Sequence, residues 1–401
     1  MKTGLILTGG GARAAYQAGV LDAVASILQD AGWPAQHNPF DIICGTSAGA
    51  LNAAIVGCRA DDFSEGVQYL CETWDEISAS QVYRADPLGL VSTGARWLSV
   101  LSFGWLARKW YGSNPNSLLD NTPLVSRLHR ILDLPRLDAA LESGALYALA
   151  VTASSYTHGH HLTFYQAAEG VQPWERKQRF VWRDQIGVQH LLASSAIPMI
   201  FPAVPIYCDG RIEYCGDGAM RQVAPISPAI HLGADKIFVI GAGQGMDPHT
   251  PRNGGRANNY PTLAQIAGHA MSSIFLDTLA ADMDRLERIN NLVAILSPEQ
   301  RTRTGLRPIE MLVISPSQRL EEIASRHVSS LPRTMRALLG GIGATELRGA
   351  NLAAYVLFEA SYARELMALG RRDTLERRDE VLTFFEFGRQ ATETLPLQQT
   401  A

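Results

Sequence analysis

Charge and long apolar runs are both scarce in this chain. Charged residues make up 18% of its 401 positions, the formal net charge is −4 and no dense Lys/Arg block occurs. That argues against a nucleic-acid partner, because phosphate binding needs a concentrated basic face. Pairs such as Arg371-Arg372 and Arg377-Arg378 read as solvated helix surface. No uninterrupted apolar segment reaches the roughly 18 residues of a membrane span. The N-terminus carries one lysine and runs straight into Gly4-Leu5-Ile6-Leu7-Thr8, with no apolar region followed by a small-residue cleavage site, so no signal peptide is read there. Cysteine is sparse: Cys44, Cys58, Cys71, Cys208 and Cys215 are odd in number and lack C-x-x-C spacing. They read as reduced thiols, which points to a cytoplasmic location. Internal repeats and low-complexity tracts are also missing. The length suits two or three average domains or one large α/β domain with an appended piece.

What is present begins as strand, glycine turn, helix. Gly4 to Thr8 feeds a turn and then a helix from about Ala12 to Ala31, with Val20, Leu21, Val24, Ile27 and Leu28 at helical spacing. Phe40 to Cys44 reads as a second buried strand and Ala48 to Cys58 as a second helix. This alternation predicts a mainly parallel sheet covered on both faces. Further strands are expected at Leu146–Thr152, Lys236–Gly241, Leu292–Leu296 and Ile309–Ile314, with a long helix opening at Pro261-Thr262. From about Ser315 onward the pattern is helical, and Leu352, Val356, Ala363 and Met367 line one face of a helix expected to end at Gly370. Thr250–Asn259, rich in Gly, Asn and Arg, reads as a mobile loop.

Gly45-Thr46-Ser47-Ala48-Gly49 lies between the second strand and the second helix. G-x-S-x-G in that context places a serine on a tight turn with its hydroxyl exposed at the top of a sheet, ahead of a helix N-terminus that favours developing negative charge. The first turn, Gly9-Gly10-Gly11-Ala12-Arg13-Ala14, sets consecutive backbone N–H groups at a helix start, which makes an anion site. With Gly9, Gly11 and Ala14 it also satisfies the dinucleotide fingerprint. A nucleotide-binding α/β protein would need an acidic residue at the end of the second strand, where Ser47 stands instead. An oxyanion hole explains both turns together.

A third motif, Gly216-Asp217-Gly218-Ala219, follows a hairpin pattern from Ile206 to Tyr214 whose Asp209-Gly210 pair suits a type I′ turn. Serine attacks an ester only when a base within about 2.6–3.2 Å takes its proton. Asp217 does this directly if burial raises its pKa. A Ser-Asp-His relay through His231, His249, His269 or His327 is the alternative, although none of these sits in a glycine-bounded loop. His158-Gly159-His160-His161 lacks cysteine or acidic partners and reads as a polar turn, not a metal site. Ser194 and Ser195 read as packing or turn residues.

Glycine turn, G-x-S-x-G and D-G-A in this order, with Ala193-Ser194-Ser195-Ala196-Ile197-Pro198 and Phe201-Pro202, resemble the patatin-like phospholipase family. The resemblance covers roughly Leu5 to Ile240. It implies a three-layer α/β/α fold with a mainly parallel central sheet, a catalytic domain over 1–315 and a helical C-terminal extension over 316–401. It implies Ser47 as nucleophile and Asp217 as its base. Gly9, Gly10, Gly11 and Ala12 would form the oxyanion hole, supported by Arg13, Gly45, Gly49 and Gly218. Ala14 departs from the family's usual closing glycine. The implied reaction is calcium-independent hydrolysis of a phospholipid or other acyl-ester lipid without a cofactor, and no calcium loop is visible. Leu88–Tyr111 carries Trp97, Trp105 and Trp110 beside Arg96, Arg108 and Lys109. That composition suits either a peripheral membrane contact or a buried helix under the site. A catalytically silent lipid-binding protein on the same fold also stays open.

Overall fold

A computed structural model describes residues 1–84, 117–171, 174, 179–243, 262–341, 343 and 350–386. The tryptophan segment Trp97–Trp110, the loop Thr250–Asn259 and His249 lie outside the described residues.

The strands are β1 (Thr3–Leu7), β2 (Ile42–Thr46), β3 (Ala148–Ser155), β4 (His161–Ala167), β5 (Arg179–Arg183), β6 (Val204–Cys208), β7 (Arg211–Asp217), β8 (Lys236–Ile240) and β9 (Glu310–Ile314). They form one sheet in the order β5-β4-β3-β2-β1-β8-β9, with β7 paired to β3 and to β6. Neighbours β1–β2, β2–β3, β1–β8, β8–β9 and β4–β5 are parallel. The fold is α/β with a mainly parallel central sheet. The central strands read as continuous apolar runs because both faces are covered. Leu5, Leu7 and Ile43 point into one core beneath α1 (Ala15–Asp30), α2 (Ala48–Gly57) and α3 (Phe63–Asp75), while Ile6, Ile42 and Cys44 enter a second core with Leu286 and Ile309.

Two expectations are corrected. Leu292–Ile295 is not a strand but the end of the helix Leu263–Ile295, with Leu292 58% and Ile295 79% exposed. Thr262 caps that helix by accepting from Gln265 N–H, and no proline follows before Pro298 to stop it. A short apolar run carries no periodicity of its own to separate the two states. The helix expected to end at Gly370 is instead two, Ala350–Val356 and Ala360–Glu376, and the second runs past that glycine.

Gly370 is there for contact. A Cβ on it would meet the Tyr16 carbonyl oxygen at 2.3 Å, and a Cβ on Gly19 would meet that of Met367 at 1.9 Å. Each glycine thus lets α1 and the helix Ala360–Glu376 approach backbone to backbone. In an isolated helix Gly19→Ala would stabilise by about 1 kcal/mol. Here overpacking on the order of 1–3 kcal/mol should reverse the sign. Urea denaturation checks it: a midpoint at or above that of the parent would contradict the close crossing.

Candidate active site

The site is made by two strands sharing one edge of β3. Residues Ala148–Thr152 of β3 pair on that edge with Ile42–Thr46 of β2. Its last residues, Ala153–Ser155, pair there with Cys215–Asp217 of the antiparallel β7, since β4 occupies the opposite edge through Ser154. So β2 and β7 run head to head in one lane. The first residue past β2 is Ser47 and the last of β7 is Asp217. The Ser47 hydroxyl donates to Asp217 Oδ2 at 2.5 Å.

Ser47 has φ 56° and ψ −131°, a region that side chains rarely occupy. It holds because the chain reverses from β2 into α2 with no room for a wider turn. A Cβ on Gly49 would meet the Leu7 carbonyl oxygen at 2.3 Å, and one on Gly45 would meet Ala50 Cα at 2.5 Å. The Ser47 N–H donates to the Ser194 hydroxyl at 2.9 Å. Ser194 therefore buttresses the turn, a contact its own sequence neighbourhood does not signal. Asp217 is fully buried, and burial pushes its carboxyl up to about 7 against the opposing hydrogen bonds from Ser47 and Ala219. Its Oδ1 accepts from Ala219 N–H at 3.0 Å.

The glycine turn lies at the end of β1, next to β2 in the sheet. Gly9, Gly10, Gly11 and Ala12 are all buried, and Gly11 lines the same cavity as Ser47 and Ala48. Gly11 has φ 57°, and a Cβ there would meet the Tyr355 carbonyl oxygen at 2.2 Å. Arg13 stacks on the Tyr355 ring at 4.1 Å and donates to the Asn351 carbonyl at 3.2 Å and to the Asn351 amide oxygen. The helix Ala350–Val356 thus clamps the turn from outside. From inside, Asn52 of α2 donates to the Ala14 carbonyl at 3.0 Å and to Gln17 at 2.9 Å, and Gln17 donates to the Thr8 carbonyl at 2.8 Å. Asn52, one turn past Ser47 on α2, thus ties that helix to the glycine turn through buried hydrogen bonds.

The cavity beside Ser47 is narrow, about 50 Å³, and apolar, with Leu51, Ile55, Trp74, Leu124, Leu128 and Phe358 in its wall. Among the described residues no histidine hydrogen-bonds Ser47 or Asp217. His231 stacks on Trp174 at 5.1 Å, and His327 bonds Glu365 at 2.6 Å. His158 is held by Glu213 at 2.6 Å.

The strain at Ser47 can be measured. Glycine relieves a backbone outlier worth about 1–3 kcal/mol and loses about 0.5–1 kcal/mol through the unfolded chain. Ser47→Gly should therefore melt above Ser47→Ala, and the reverse order in a calorimetric scan would remove the case for a strained turn.

The Escherichia coli (strain K12) protein YjjU, uncharacterized, is 27% identical over 240 residues, covering 60% of this chain and 51% of YjjU, so the match spans about half the length of that relative. Among solved structures, human GIVD cytosolic phospholipase A2 in complex with methyl gamma-linolenyl fluorophosphonate is 12% identical with a TM-score of 0.42, covering 96% of this chain and 59% of that one. VipD from Legionella pneumophila is 13% identical with a TM-score of 0.26, covering 92% of this chain and 67% of its own. At these TM-scores the likenesses carry no further weight. The family model described as patatin-like phospholipase matches residues 5–230, a span that holds both turns, Ser47 and Asp217, and the chain belongs to the patatin-like phospholipase family.

Proposed function

We propose that the protein is a lipid acyl hydrolase that cleaves a carboxylic ester of a phospholipid or other acyl lipid through a Ser47–Asp217 dyad. The observation that carries this is the 2.5 Å contact from the Ser47 hydroxyl to a buried carboxylate whose pKa burial lifts to about 7. A carboxylate at its ordinary pKa is a poor base for a serine hydroxyl, and one poised near neutrality takes the proton more readily. Ser47 Oγ attacks the ester carbonyl as its proton passes to Asp217 Oδ2. The tetrahedral oxygen would be held by N–H groups of the Gly9–Ala12 turn and by the N-terminus of α2. Collapse expels the alcohol, which takes the proton from Asp217, and leaves an acyl ester on Ser47. Water then attacks the acyl ester as its proton passes to Asp217, and collapse expels Ser47 Oγ, which takes that proton back as the fatty acid leaves. The cavity wall of Leu51, Leu124 and Phe358 beside Ser47 is apolar, as contact with the first carbons of an acyl chain requires. Among the described residues no helix is long and apolar enough to cross a membrane, so the lipid would be met at a surface.

Ser47→Ala and Asp217→Asn should each lower hydrolysis of a p-nitrophenyl ester on the scale of 10²–10⁴, roughly the contribution of a positioned base or more. Both variants should stay folded. Single alanine replacements of His231, His249, His269 and His327 should not approach this loss, and one folded histidine variant as inactive as Asp217→Asn would replace the dyad with a relay.

The pH dependence has a defined sign. Asp217 accepts a proton only when ionised, so kcat/KM should fall as pH drops through about 7 and flatten above it. An acidic limb centred near the ordinary carboxylate value of about 4 would contradict a desolvated base.

A further inference from the structure

A second cavity, about 700 Å³ against about 50 Å³ beside Ser47, opens on the opposite face of the sheet. It is walled by the short helix Ser227–His231, the long helix Leu263–Ile295 and the loop from Gly305 to Ile309. Its Ile226, Leu286 and Ile309 belong to the core that Ile6 and Ile42 enter, whereas Leu124 and Phe358 beside Ser47 belong to the other. The volume is that of an ordinary small-molecule site, roughly 300–1,000 Å³. The reaction at Ser47 makes no use of it.

Sheet register builds a polar recess at one end. His161 of β4 and Arg179 of β5 are cross-strand partners, and Thr163 and Val181 are the next pair on the same face. These four line a recess that shares Arg179, Ala224 and Ser227 with the cavity. His161 is 6% exposed, and its Nδ1 has no hydrogen-bond partner among the described residues. Burial, reinforced by Arg179, holds its pKa down at about 4, so the ring is neutral at pH 7. The Thr163 hydroxyl lies 3.4 Å from Nε2, and when it donates there the ring's one proton sits on Nδ1 as an unused donor. A buried donor left unpaired is costly until something supplies an acceptor.

Charge narrows what fits. Arg179, Arg285 and Arg307 border the cavity. Arg285 pairs with Asp282 at 3.3 Å and Arg307 with Asp235 at 3.1 Å, while Arg179 makes no ion pair among the described residues. Burial pushes the Asp282 carboxyl up, and the Ile226 N–H, Arg285 and Arg179 oppose that. Three cations against two carboxylates leave one positive charge, and Arg179 carries it to the recess. Beyond it the wall turns apolar. The long helix accepts the Ile226 N–H through Asp282 and donates to the Ile309 carbonyl through Asn290, about 12 Å farther along its axis. Between those ties run Ile226 and Ile230 from one helix and Leu286 and Ile289 from the other, with Leu306 41% exposed in the loop. A single cation and an unused donor at one end of an apolar trough suit a ligand with one anionic head and one apolar chain.

We propose that this cavity is a second binding site, for a single-chain anionic amphiphile such as a fatty-acid carboxylate or an anionic lysophospholipid. The head lies against Arg179 and His161, and the chain runs between the helix Ser227–His231 and the long helix. Either ligand would be a product of the reaction at Ser47, a link that rests on the hydrolase reading. The match of head and chain to the cavity does not.

The test uses the full chain carrying Ser47→Ala in equilibrium dialysis against dodecanoate below its micelle concentration, with dodecanol as the uncharged counterpart. Arg179→Gln should weaken dodecanoate about tenfold, by loss of a charge-assisted hydrogen bond, and leave dodecanol within about twofold. Arg179→Lys keeps the charge and should restore most of the affinity. Ile289→Ser with Leu306→Ser should weaken both ligands about tenfold, since both lose apolar contact along the chain. Dodecanoyl lysophosphatidylglycerol, run beside dodecanoate, separates the two heads: the one held more tightly with the same Arg179 dependence names the ligand. In the Ser47 background these variants should keep kcat/KM on a soluble short ester within about twofold. Dodecanoate binding that none of the substitutions alters puts the acid elsewhere and overturns the proposal, as does no binding at all. Inorganic phosphate held as tightly as dodecanoate overturns it too, because the chain then contributes nothing. Arg179-dependent binding by a protein that hydrolyses no ester would sink the hydrolase reading and leave the second site standing. Ester hydrolysis without such binding would do the reverse.

Discussion

One edge of β3 is the constraint on which the site depends. It is eight residues long, and β2 uses the first five of them and β7 the last three. Two strands arriving in one lane from opposite directions must stop where they meet, and each needs a glycine there. Gly45 and Gly49 let the chain leave β2 through a strained turn, and a Cβ on Gly218 would meet the Thr152 carbonyl oxygen at 2.3 Å as the chain leaves β7. A serine and an aspartate 170 residues apart are thereby set at hydrogen-bond distance by backbone pairing, with little left to side-chain rotamers. Rigid ladders on both sides hold the Ser47–Asp217 pair in place.

Burial then sets the chemistry. The lane end is closed by α2, by the glycine turn and by the segment holding Ser194, so Asp217 loses its water. Its two hydrogen bonds favour the ionised form, and desolvation outweighs them. The same enclosure leaves Ser47 only 1% exposed, where its turn led to the expectation of a hydroxyl exposed at the top of the sheet, and sets it against the apolar cavity. The raised carboxyl and its dry surroundings are one structural fact.

Much of this was legible in the chain, for stated physical reasons. The Ser47 turn could be read because strand, glycine and helix are local signals, and the Asp209-Gly210 turn because both residues need positive φ, which they have at 47° and 76°. The paired approach of Ser47 and Asp217 is non-local, and the motif order suggested it without showing how the sheet brings it about. Ser194 was read only as a packing or turn residue, because which turn it supports depends on the loop that lies over Ser47 in space. The Leu292–Leu296 run was misread since five apolar residues have no resolvable period, and Gly370 because a glycine at a crossing and a glycine at a helix end look alike in one dimension.

The C-terminal helices, which the family match at 5–230 does not reach, bear directly on the turn that the match does include. Gly11 packs against the backbone at Tyr355, and Arg13 spends its guanidinium on Asn351 and the Tyr355 ring. Asn351 is in turn fixed by donating to Ser272 at 2.8 Å and to the Gly268 carbonyl at 3.2 Å on the long helix. Arg13 is buried and its guanidinium is held by Asn351 and the Tyr355 ring, so it ties the glycine turn to the helix Ala350–Val356. This also accounts for Ala14 where the family has glycine, since that position is buried in an ordinary right-handed conformation with its carbonyl bonded to Asn52, and a methyl group fits. The turn's shape is therefore imposed by α2 on one side and the helix Ala350–Val356 on the other, and the glycines matter for the room they leave to both.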